Sequence, residues 1–534
     1  MQQERFVFGT IRSERGIRHR RNLQFDRSAI VKFSTNSTCW QTTMDKRGLS
    51  SKYSRLIQPL LLLWVMGWAS FVHSQEPYGN QGLRAEVIEK LKKACRFYAE
   101  KVSCRGGYPY FSSSDGSTRW GENELLKEAA VIQPPGTPSV GSVLLRAYQA
   151  TSDEEYLEWA IDTGEALKLG QLKSGGWAQV VYFEKPEKGR MGSYRKRSGG
   201  EWNQSSLDDN QTQAAIVFLI ELDLALELRN QDIHECAIFA LDSLLNAQLP
   251  NGGFPQGWRA PARKFSPSSL ATQPASYPDY DWKTEGKLKN YWDYATLNDG
   301  LVGDVAEALI RAYNAYRDER YLVALRRLGD FLVLAQMPEP QPAWCQQYND
   351  DMQPIWARKF EPPAISGVES QDAMSTLLRI AEVTGEDRYL KPLPQAIEFL
   401  RTQCVQADGK LARFYELKSN KPLYMDKQYQ LTYDDSNPPS HYGWKQKSRL
   451  DQIEREYQRV LKGGANSERP QKISEDSVRK VLDSLSSDGS WSHRYAGEKL
   501  MGSPKFKMGE SYVSSAEFCD NISLLINYLN SYAK

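Results

Sequence analysis

Apolar residues recur three and four positions apart through most of the chain after residue 84, and this spacing is typical of helices. The predicted helices cover residues 84–101, 138–150, 155–170, 211–228, 232–247, 300–316, 320–335, 368–383, 387–403, 473–485 and 515–532. No long run alternates apolar and polar positions as a half-buried strand would. The pattern therefore predicts an all-α protein.

The predicted helices repeat as a unit. A helix ends, a short charged turn follows, and a second helix begins near a Tyr-Leu pair, as at 151–157 and 317–322. The second helix is followed by a Gly-rich aromatic loop. Its copies are QLKSGGWAQ at 171–179 and QLPNGGFPQ at 248–256, with weaker ones at 105–110, 342–346, 409–414 and 488–493. Such self-similarity indicates a repeat architecture of about six helical hairpins.

Repeated antiparallel helix pairs favour an α/α toroid, in which an inner ring of helices lies inside an outer ring. Each helix buries an apolar stripe in this arrangement. The Gly-rich loops and the starts of the following inner helices then share one rim. The long connections 180–210, 257–298 and 414–470 fall on that rim. Long loops on a rigid scaffold usually carry function, so we expect the site there.

The N-terminal region has the pattern of a secretion signal. Residues 1–43 are basic and polar without apolar periodicity, and we interpret them as an extension from an early start codon. Residues 44–74 combine a short basic region, an apolar stretch and a small-residue site at Ser74, as signal peptides do. The toroid then occupies 75–534, and the protein is expected to be secreted or periplasmic. A membrane anchor is the alternative, but the run is short for a span.

Composition and charge limit the classes of ligand that the protein is expected to bind. The net charge is +2 over 534 residues, so nothing points to nucleic acid, and recognition of a charged ligand has to be local. Six cysteines follow the signal, and their spacing fits no zinc site. Cys95 and Cys104 are a plausible disulfide pair, although sequence does not settle pairing.

Acidic residues stand directly before two predicted inner helices. Asp208 and Asp209 precede one, and Asn298 and Asp299 precede another. Carboxylates brought together from adjacent repeats would suit Ca²⁺, which prefers hard oxygen ligands. The alternative is helix capping, because Asp is among the commonest N-cap residues.

Three cations are candidates for binding an acidic ligand: Arg358, Arg413 and Lys427. Arg413 occupies the loop position that holds Gln179, Gln256 and Gln346 in other copies of the repeat. A position that changes from neutral to cationic could bind an anion. The alternative for each is a solvated surface charge.

Together these segments resemble the family 10 pectate lyases, which are polysaccharide lyases with an α/α toroid fold. The segments that match the family's motifs in order are Leu207–Asp209 with Thr212, Ala295–Asp299, Ala357–Glu361, Ser366–Ser370 and Arg413–Leu417. The resemblance extends from about residue 165 to 430. It implies a secreted enzyme that cleaves polygalacturonate, or a related polyuronate, by calcium-assisted β-elimination.

The resemblance also implies roles for individual residues. Asp208 and Asp299 would hold Ca²⁺, and Arg358 and Arg413 would bind substrate carboxylates. The family's catalytic base is an Arg in an aromatic-Ser-Asp-Arg-Asp-Gly motif. The matching segment, 424–429, has Lys427 at the base position. Lysine deprotonates more readily than arginine, so Lys427 is a reasonable base, and equally the change allows a member that has lost activity.

Three other functions stay open at this level. An α/α-toroid glycoside hydrolase would use Asp299 with Asp208 or Asp209 as acid and base. A catalytically inactive protein could bind polyuronate without turnover. A terpene-cyclase-like toroid is suggested by SDGSW at 487–491, but the secretory signal and the lack of an Asp-x-Asp-Asp motif argue against it.

Overall fold

The computed structural model describes residues 81–186, 190–259, 273–464 and 473–531, all within a compact unit that spans 75–534. The predicted extension 1–43 and signal peptide 44–74 lie outside the described residues. Among the residues described, no helix combines the length and the apolar character needed to cross a membrane.

The described residues form twelve α-helices. They are α1 (Gln81–Phe97), α2 (Thr137–Thr151), α3 (Glu154–Gly170), α4 (Gln211–Ala225), α5 (Gln231–Ala247), α6 (Leu301–Tyr316), α7 (Glu319–Ala335), α8 (Glu369–Thr384), α9 (Leu393–Phe399), α10 (Leu450–Leu461), α11 (Glu475–Asp483) and α12 (Ser515–Ser531). All eleven predicted helices are confirmed, with ends that differ by a few residues. Around α9 the predicted helix is a 3-10 turn, an α-helix and a π-helical turn in succession.

Helix α10 is the one that the sequence pattern missed. Only Leu450 and Ile453 are buried along its twelve residues, and most other positions are charged or polar. Two buried positions are too few to establish an apolar period, so the sequence pattern places this segment within the long connection 414–470.

The helices pack as an α/α toroid, which confirms the predicted fold class. The inner helices α12, α2, α4, α6, α8 and α10 contact one another in that order. Helix α2 pairs with α3, α4 with α5, and α6 with α7, so each hairpin contributes one inner and one outer helix. Helices α1 and α11 pack against α12.

One backbone hydrogen bond recurs along the rim and joins each repeat to the next. A residue at or shortly before the start of an inner helix donates to the loop of the following repeat. The pairs are Ser515 N to Tyr110 O (2.9 Å), Ile132 N to Gln179 O (2.8 Å), Leu207 N to Gln256 O (2.8 Å), Leu297 N to Gln346 O (2.8 Å) and Gly367 N to Arg413 O (3.0 Å). The loop copies found in the sequence are therefore structurally equivalent, and Arg413 occupies the glutamine position.

Glycine is required in the loops where the backbone is left-handed and crowded. Gly252 has φ +90°, and a Cβ there would lie 2.2 Å from the carbonyl oxygen of Arg327. Gly175 has φ +104°, and its Cβ would meet the Ser243 side chain at 1.9 Å. Two residues after each of these glycines, Trp177 and Phe254 are fully buried. The loop thus turns sharply and places one ring in the core.

The rim connections form short antiparallel strands, none longer than four residues in the described part of the chain. They are β1 (Phe111–Ser113), β2 (Arg119–Trp120), β3 (Glu124–Leu125), β4 (Ala129–Val131), β5 (Val180–Tyr182), β6 (Gln204–Ser206), β7 (Gly257–Arg259), β8 (Ala295–Thr296), β9 (Gln347–Tyr348), β10 (Ile365–Ser366), β11 (Lys410–Ala412), β12 (Phe414–Tyr415), β13 (Pro422–Met425), β14 (Leu431–Thr432), β15 (Lys445–Lys447), β16 (Ser492–Arg494) and β17 (Ser511–Ser514).

The strands pair mainly between neighbouring repeats. One sheet has the order β16-β17-β1-β2-β3 and another β10-β12-β13-β14. The pairs β4–β5, β6–β7, β8–β9 and β11–β15 stand alone. In β6–β7, Ser206 lies opposite Gly257, and in β8–β9, Thr296 lies opposite Gln347. Both pairs fix the backbone directly before the two acidic segments.

The core fills the space between the two helical rings. Trp177 and Trp344 are fully buried, and their indole nitrogens donate to the carbonyls of Leu167 (2.8 Å) and Leu332 (2.7 Å). The six cysteines of the described chain are all free, so the suggested pair of Cys95 and Cys104 is not formed.

Candidate active site at the rim of the toroid

The two acidic segments have the same local backbone. Single 3-10 turns, Asp208–Asn210 and Asn298–Gly300, lead into α4 and α6. Their central residues, Asp209 and Asp299, are both left-handed, with φ 46° and 50°. Neither side chain caps its helix, because the N-cap residues are Asn210 and Gly300. The capping alternative is therefore wrong for these acids, and strained acidic residues of this kind often belong to functional sites.

A serine or threonine residue occupies the same structural position in three repeats. The side chains of Ser206, Thr296 and Ser366 each accept a hydrogen bond from the backbone nitrogen two residues on. An acid follows three residues after each hydroxyl, and these acids are Asp209, Asp299 and Glu369. The counterpart of Asp299 in the preceding repeat is thus Asp209, next to the predicted ligand Asp208.

Three carboxylates come together from these two segments. Oxygen atoms of Asp208, Asp209 and Asp299 all lie within 4.8 Å of one another. Burial raises the pKa of Asp209 to about 7, with further contributions from the charges of Asp208 and Asp299. Burial also raises the pKa of Asp208, although Gln256 and Arg358 oppose it. Across the described residues neither Asp208 nor Asp209 forms an ion pair, so this cluster fits a divalent cation with oxygen ligands.

Arg358 approaches this cluster from the segment between β9 and β10. Its Nη2 donates to Oδ2 of Asp299 (3.2 Å) and to Oε1 of Glu361 (2.6 Å). Burial acts to lower the pKa of Arg358, but the hydrogen bond and charge of Glu361 outweigh it and raise that pKa above its usual range. Arg358 therefore stays cationic at the site.

Arg413 reaches Asp299 from the next repeat and is 5% exposed. Its Nη2 donates to Oδ1 of Asp299 (2.9 Å), to Oε1 of Glu369 (2.6 Å) and to Oδ1 of Asn298 (3.2 Å). Burial acts to lower the pKa of Arg413, but the charge of Glu369 leads the effects that raise it above its usual range. Arg413 is thus a permanent buried cation, and a solvated surface charge is excluded for it.

Tyr442 connects the two arginines. Its ring centroid lies 4.4 Å from the guanidinium carbon of Arg413 and 5.9 Å from that of Arg358. Its hydroxyl donates to Oε1 of Glu361 (2.9 Å). Sequence reasoning missed Tyr442 and the partner roles of Glu361 and Glu369. The i,i+3 spacing of Arg358 and Glu361 was the one local signal available.

Lys427 lies at the exposed tip of the hairpin that joins β13 to β14. Oδ1 of Asp426 accepts hydrogen bonds from the backbone nitrogens of Gln428 and Gln430, both at 2.8 Å, and these shape the turn. The ring of Tyr429 lies 5.9 Å from that of Phe360, whose ring in turn contacts Arg358. The tip is therefore beside the segment that carries Arg358. The structure brings Asp208, Asp299, Arg358 and Arg413 together and leaves Lys427 on this neighbouring hairpin.

The first helical hairpin completes the other side of the cluster. Nε2 of Gln133 donates to Oδ2 of Asp209 (3.1 Å), and Oε1 of Gln133 accepts from Gln179 (2.8 Å). Gln133 precedes α2 in the position that Asp208 holds before α4. Sequence reasoning missed this contact, because Gln133 lies outside every motif.

The family model described as pectic acid lyase matches residues 171–389. The resemblance to the pectate lyases is confirmed. The matched span contains the acidic cluster, Arg358 and Glu369, and it ends before Arg413 and Lys427. The match covers about the middle two-fifths of the sequence, so over that span the chain is similar to the pectic acid lyases, a class of polysaccharide lyases.

Solved structures similar to the chain include a family 10 polysaccharide lyase from Cellvibrio cellulosa, with 18% identity, a TM-score of 0.42, and coverage of 61% of this chain and 97% of that one. A point mutant of that lyase was solved in complex with trigalacturonic acid and matches equally. A cellobiose 2-epimerase from Bacillus thermoamylovorans has 13% identity, a TM-score of 0.43, and coverage of 85% and 100%. Among curated proteins, none matches.

Proposed function

We propose that this protein cleaves polygalacturonate or a related polyuronate by calcium-assisted β-elimination. The observation that supports it best is the convergence on Asp299 of two permanent cations, Arg358 and Arg413, beside two carboxylates that form no ion pair within the described chain. Such a site combines positive charge for a sugar carboxylate with oxygen ligands for a cation. The match of residues 171–389 to the pectic acid lyase model is consistent with this substrate class.

The proposed reaction removes the proton on C5 of a uronate and breaks the bond between C4 and the bridging oxygen. The electron pair of the C5–H bond forms a C4–C5 double bond, and the departing oxygen takes up a proton. Negative charge develops on the uronate carboxylate as the C5 proton leaves. Arg358 and Arg413 would stabilise that charge, because preorganised cations in a partly buried site cost no reorganisation during the reaction.

The calcium ion would be held by Asp208, Asp209 and Asp299. When bound, it would supply further positive charge to the substrate carboxylate. The raised pKa of Asp209, caused first by burial and then by its two acidic neighbours, supports the need for a cation at this position. The fit is also chemical, since carboxylate oxygens are the preferred ligands of Ca²⁺.

The base has to be a group that can release its proton before the reaction. Arg358 and Arg413 do not qualify, because both keep pKa values above the usual range of arginine. We propose Lys427 as the base, in agreement with its place in the motif. Its exposed hairpin tip lies beside Phe360 and the segment of Arg358. A lysine amine accepts a proton far more readily than a guanidinium.

We also propose that the protein acts outside the cytoplasm. The support is the sequence pattern of residues 44–74, which combines a basic start, an apolar stretch and a small-residue site. Expression of the chain from Met44 in a secreting host tests this proposal. A secreted product that begins at Gln75 supports it, and retention of residues 44–74 in a membrane-bound product contradicts it.

The enzymatic proposal is tested by incubating residues 75–534 with polygalacturonate and Ca²⁺ and following the ultraviolet absorbance of unsaturated product. We expect product with Ca²⁺ and none with a chelator. Lys427→Ala should lose most of the rate, whereas Lys391→Ala, at an exposed lysine before α9, should not. No product from the wild type on several uronans would overturn the proposal.

A further inference from the structure

A cavity lies close to the acidic cluster, next to the residues that contact Gln133. It has a volume of about 510 Å³ and lies between the β2–β3 hairpin and the long connection after α3. Its lining includes Glu122, Glu124, Gln179, Arg190 and Trp202. The volume is within the range of about 300–1,000 Å³ that is usual for small-molecule sites. We refer to this cavity as the Trp202 pocket.

A single residue, Gln133, lies between the Trp202 pocket and the proposed catalytic centre. Two of its lining residues, Glu122 and Gln179, contact Gln133, at 3.4 Å and 2.8 Å. The same Gln133 amide donates to Oδ2 of Asp209 at 3.1 Å. The pocket and the acidic cluster are therefore neighbours across a single buried residue, Gln133. A polymeric substrate bound at the cluster would be close enough to this pocket to contact it.

The charge beside the cluster differs from the charge in the pocket. Arg358 and Arg413 lie on one side of the cluster, whereas the Trp202 pocket has two carboxylates, Glu122 and Glu124, and one guanidinium, Arg190. Carboxylates repel an acidic sugar but accept hydrogen bonds from sugar hydroxyls. With two carboxylates and one guanidinium, the pocket has an excess of one negative charge, which disfavours a free uronate relative to an uncharged ring.

Trp202 gives this pocket a surface suited to a sugar ring. The indole is half-buried, and the exposed Arg190 side chain lies with its guanidinium carbon 5.2 Å from the ring centroid. The backbone bridge between Gly192 and Trp202 fixes the position of the tryptophan. A rigid aromatic face with polar groups around it is typical of sites that contact an apolar ring face and its hydroxyls together.

We propose that the Trp202 pocket is a subsite for an uncharged pyranose of the substrate chain, either a methyl-esterified uronate or a neutral sugar. This proposal rests on the proposed function and adds to it a preference for partly uncharged polyuronates. Glu122 and Glu124 precede the segment that matches the pectic acid lyase model, so the acidic side of this pocket comes from the β2–β3 hairpin outside the matched span.

Kinetics on two polymers test the proposal, with highly methyl-esterified and fully acidic polygalacturonate as substrates. We expect Trp202→Ala to lower kcat/KM about tenfold on the esterified polymer and less than about twofold on the acidic one, since a single lost ring contact has roughly this effect. Trp202→Phe should retain most of the activity. Trp159→Ala, at a half-buried tryptophan of outer helix α3, is the matched control and should change neither value.

A charge change tests the same pocket in the opposite direction. Glu124→Lys should raise kcat/KM on the acidic polymer relative to the esterified one by several-fold, because it replaces repulsion with attraction. Equal effects of Trp202→Ala on both polymers, or an unchanged ratio in Glu124→Lys, would overturn the proposal.

Binding measurements separate this proposal from the proposed function. If the wild type forms no unsaturated product, the function fails, and calorimetry with methyl-esterified oligogalacturonate and with a neutral galacto-oligosaccharide still tests the pocket. Binding that Trp202→Ala removes supports it. Binding of the ester alone identifies the methyl ester as the ligand, and binding of both identifies any uncharged pyranose. Binding of neither contradicts the proposal.

Discussion

Nη2 of Arg413 lies 2.9 Å from Oδ1 of Asp299, although the two residues are 114 positions apart. The same nitrogen donates to Glu369, so one cation neutralises acids from two earlier repeats. In three other loops the equivalent residue is a glutamine, which is uncharged. The loop position is thus an arginine where its side chain contacts two acids, Asp299 and Glu369, that precede inner helices.

Replacement of Arg413 by glutamine, the residue of the equivalent loops, tests this relationship. Arg413→Gln leaves Glu369 buried without its cation, and breaking such a pair costs about 3–5 kcal/mol. We expect a lower unfolding midpoint in urea and at least a hundredfold loss of kcat/KM, because a carboxylate-binding cation is also removed.

The double variant Arg413→Gln with Glu369→Gln separates stability from function. It removes the buried charge together with its partner, so the unfolding midpoint should recover while the activity stays low. Recovery of activity in the double variant would show that Arg413 acts only through Glu369.

Calcium binding is expected to stabilise the fold measurably without any substrate. A ligand at 100 times its Kd adds about 2.7 kcal/mol to the free energy of unfolding. Ca²⁺ should therefore raise the Tm of the wild type and leave that of Asp209→Asn nearly unchanged. Asp242→Asn, at an acid on outer helix α5 that pairs with Arg320, is the control and should keep the shift. A shift that persists in Asp209→Asn would place the ion elsewhere.

Asp304 should make stability depend on pH. Burial, reinforced by the charge of Asp372, raises the pKa of Asp304 from its usual value to about 7. The folded carboxyl thus binds its proton more tightly than the unfolded one, so stability falls as the pH rises from about 4 to about 7. With a chelator present, Asp304→Asn should have a higher Tm than the wild type at pH 8 and a similar Tm at pH 4.

Asp483, exposed on α11, provides the comparison for this pH effect. Asp483→Asn should follow the wild type at both pH values. A wild-type Tm that does not fall between pH 4 and pH 8 relative to Asp304→Asn would contradict the assigned pKa.

The loop glycines differ in how much room they have. Gly252 and Gly409 are both left-handed and lie at equivalent positions, but only at Gly252 would a Cβ meet backbone, at 2.2 Å from the oxygen of Arg327. We expect Gly252→Ala to lower the free energy of unfolding by about 3 kcal/mol or more, and Gly409→Ala by about 1 kcal/mol. Urea unfolding of both variants measures this difference. Equal losses would show that the left-handed backbone, and not the contact with Arg327, determines the loss of stability.

The repeat and its helices could be predicted from the sequence because apolar period and loop glycines recur in every hairpin. Comparison of the Gly-rich loops within the chain also predicts that Arg413 is equivalent to Gln179 and Gln256, and the rim hydrogen bonds confirm it. The resemblance implies Asp208 as a calcium ligand and does not include Asp209. Spacing along the sequence does not show which of these two adjacent acids corresponds to Asp299. The left-handed turn at Asp209, which makes it the counterpart of Asp299, is visible only in the backbone.

Other parts of the site depend on contacts between distant segments. Gln133 precedes the matched region by many residues, and Tyr442 lies in a long connection without periodicity, so neither has a local signal. Helix α10 was missed for a related reason, since its burial comes from neighbouring helices and involves only two apolar residues.

The mass of the products from a defined oligogalacturonate tests the central claim most directly. Elimination adds no water, so the masses of the two products should sum to the mass of the substrate, with the new double bond on one of them. We predict this result for residues 75–534 with Ca²⁺. Products whose masses sum to the substrate plus one water would show hydrolysis and contradict the lyase account.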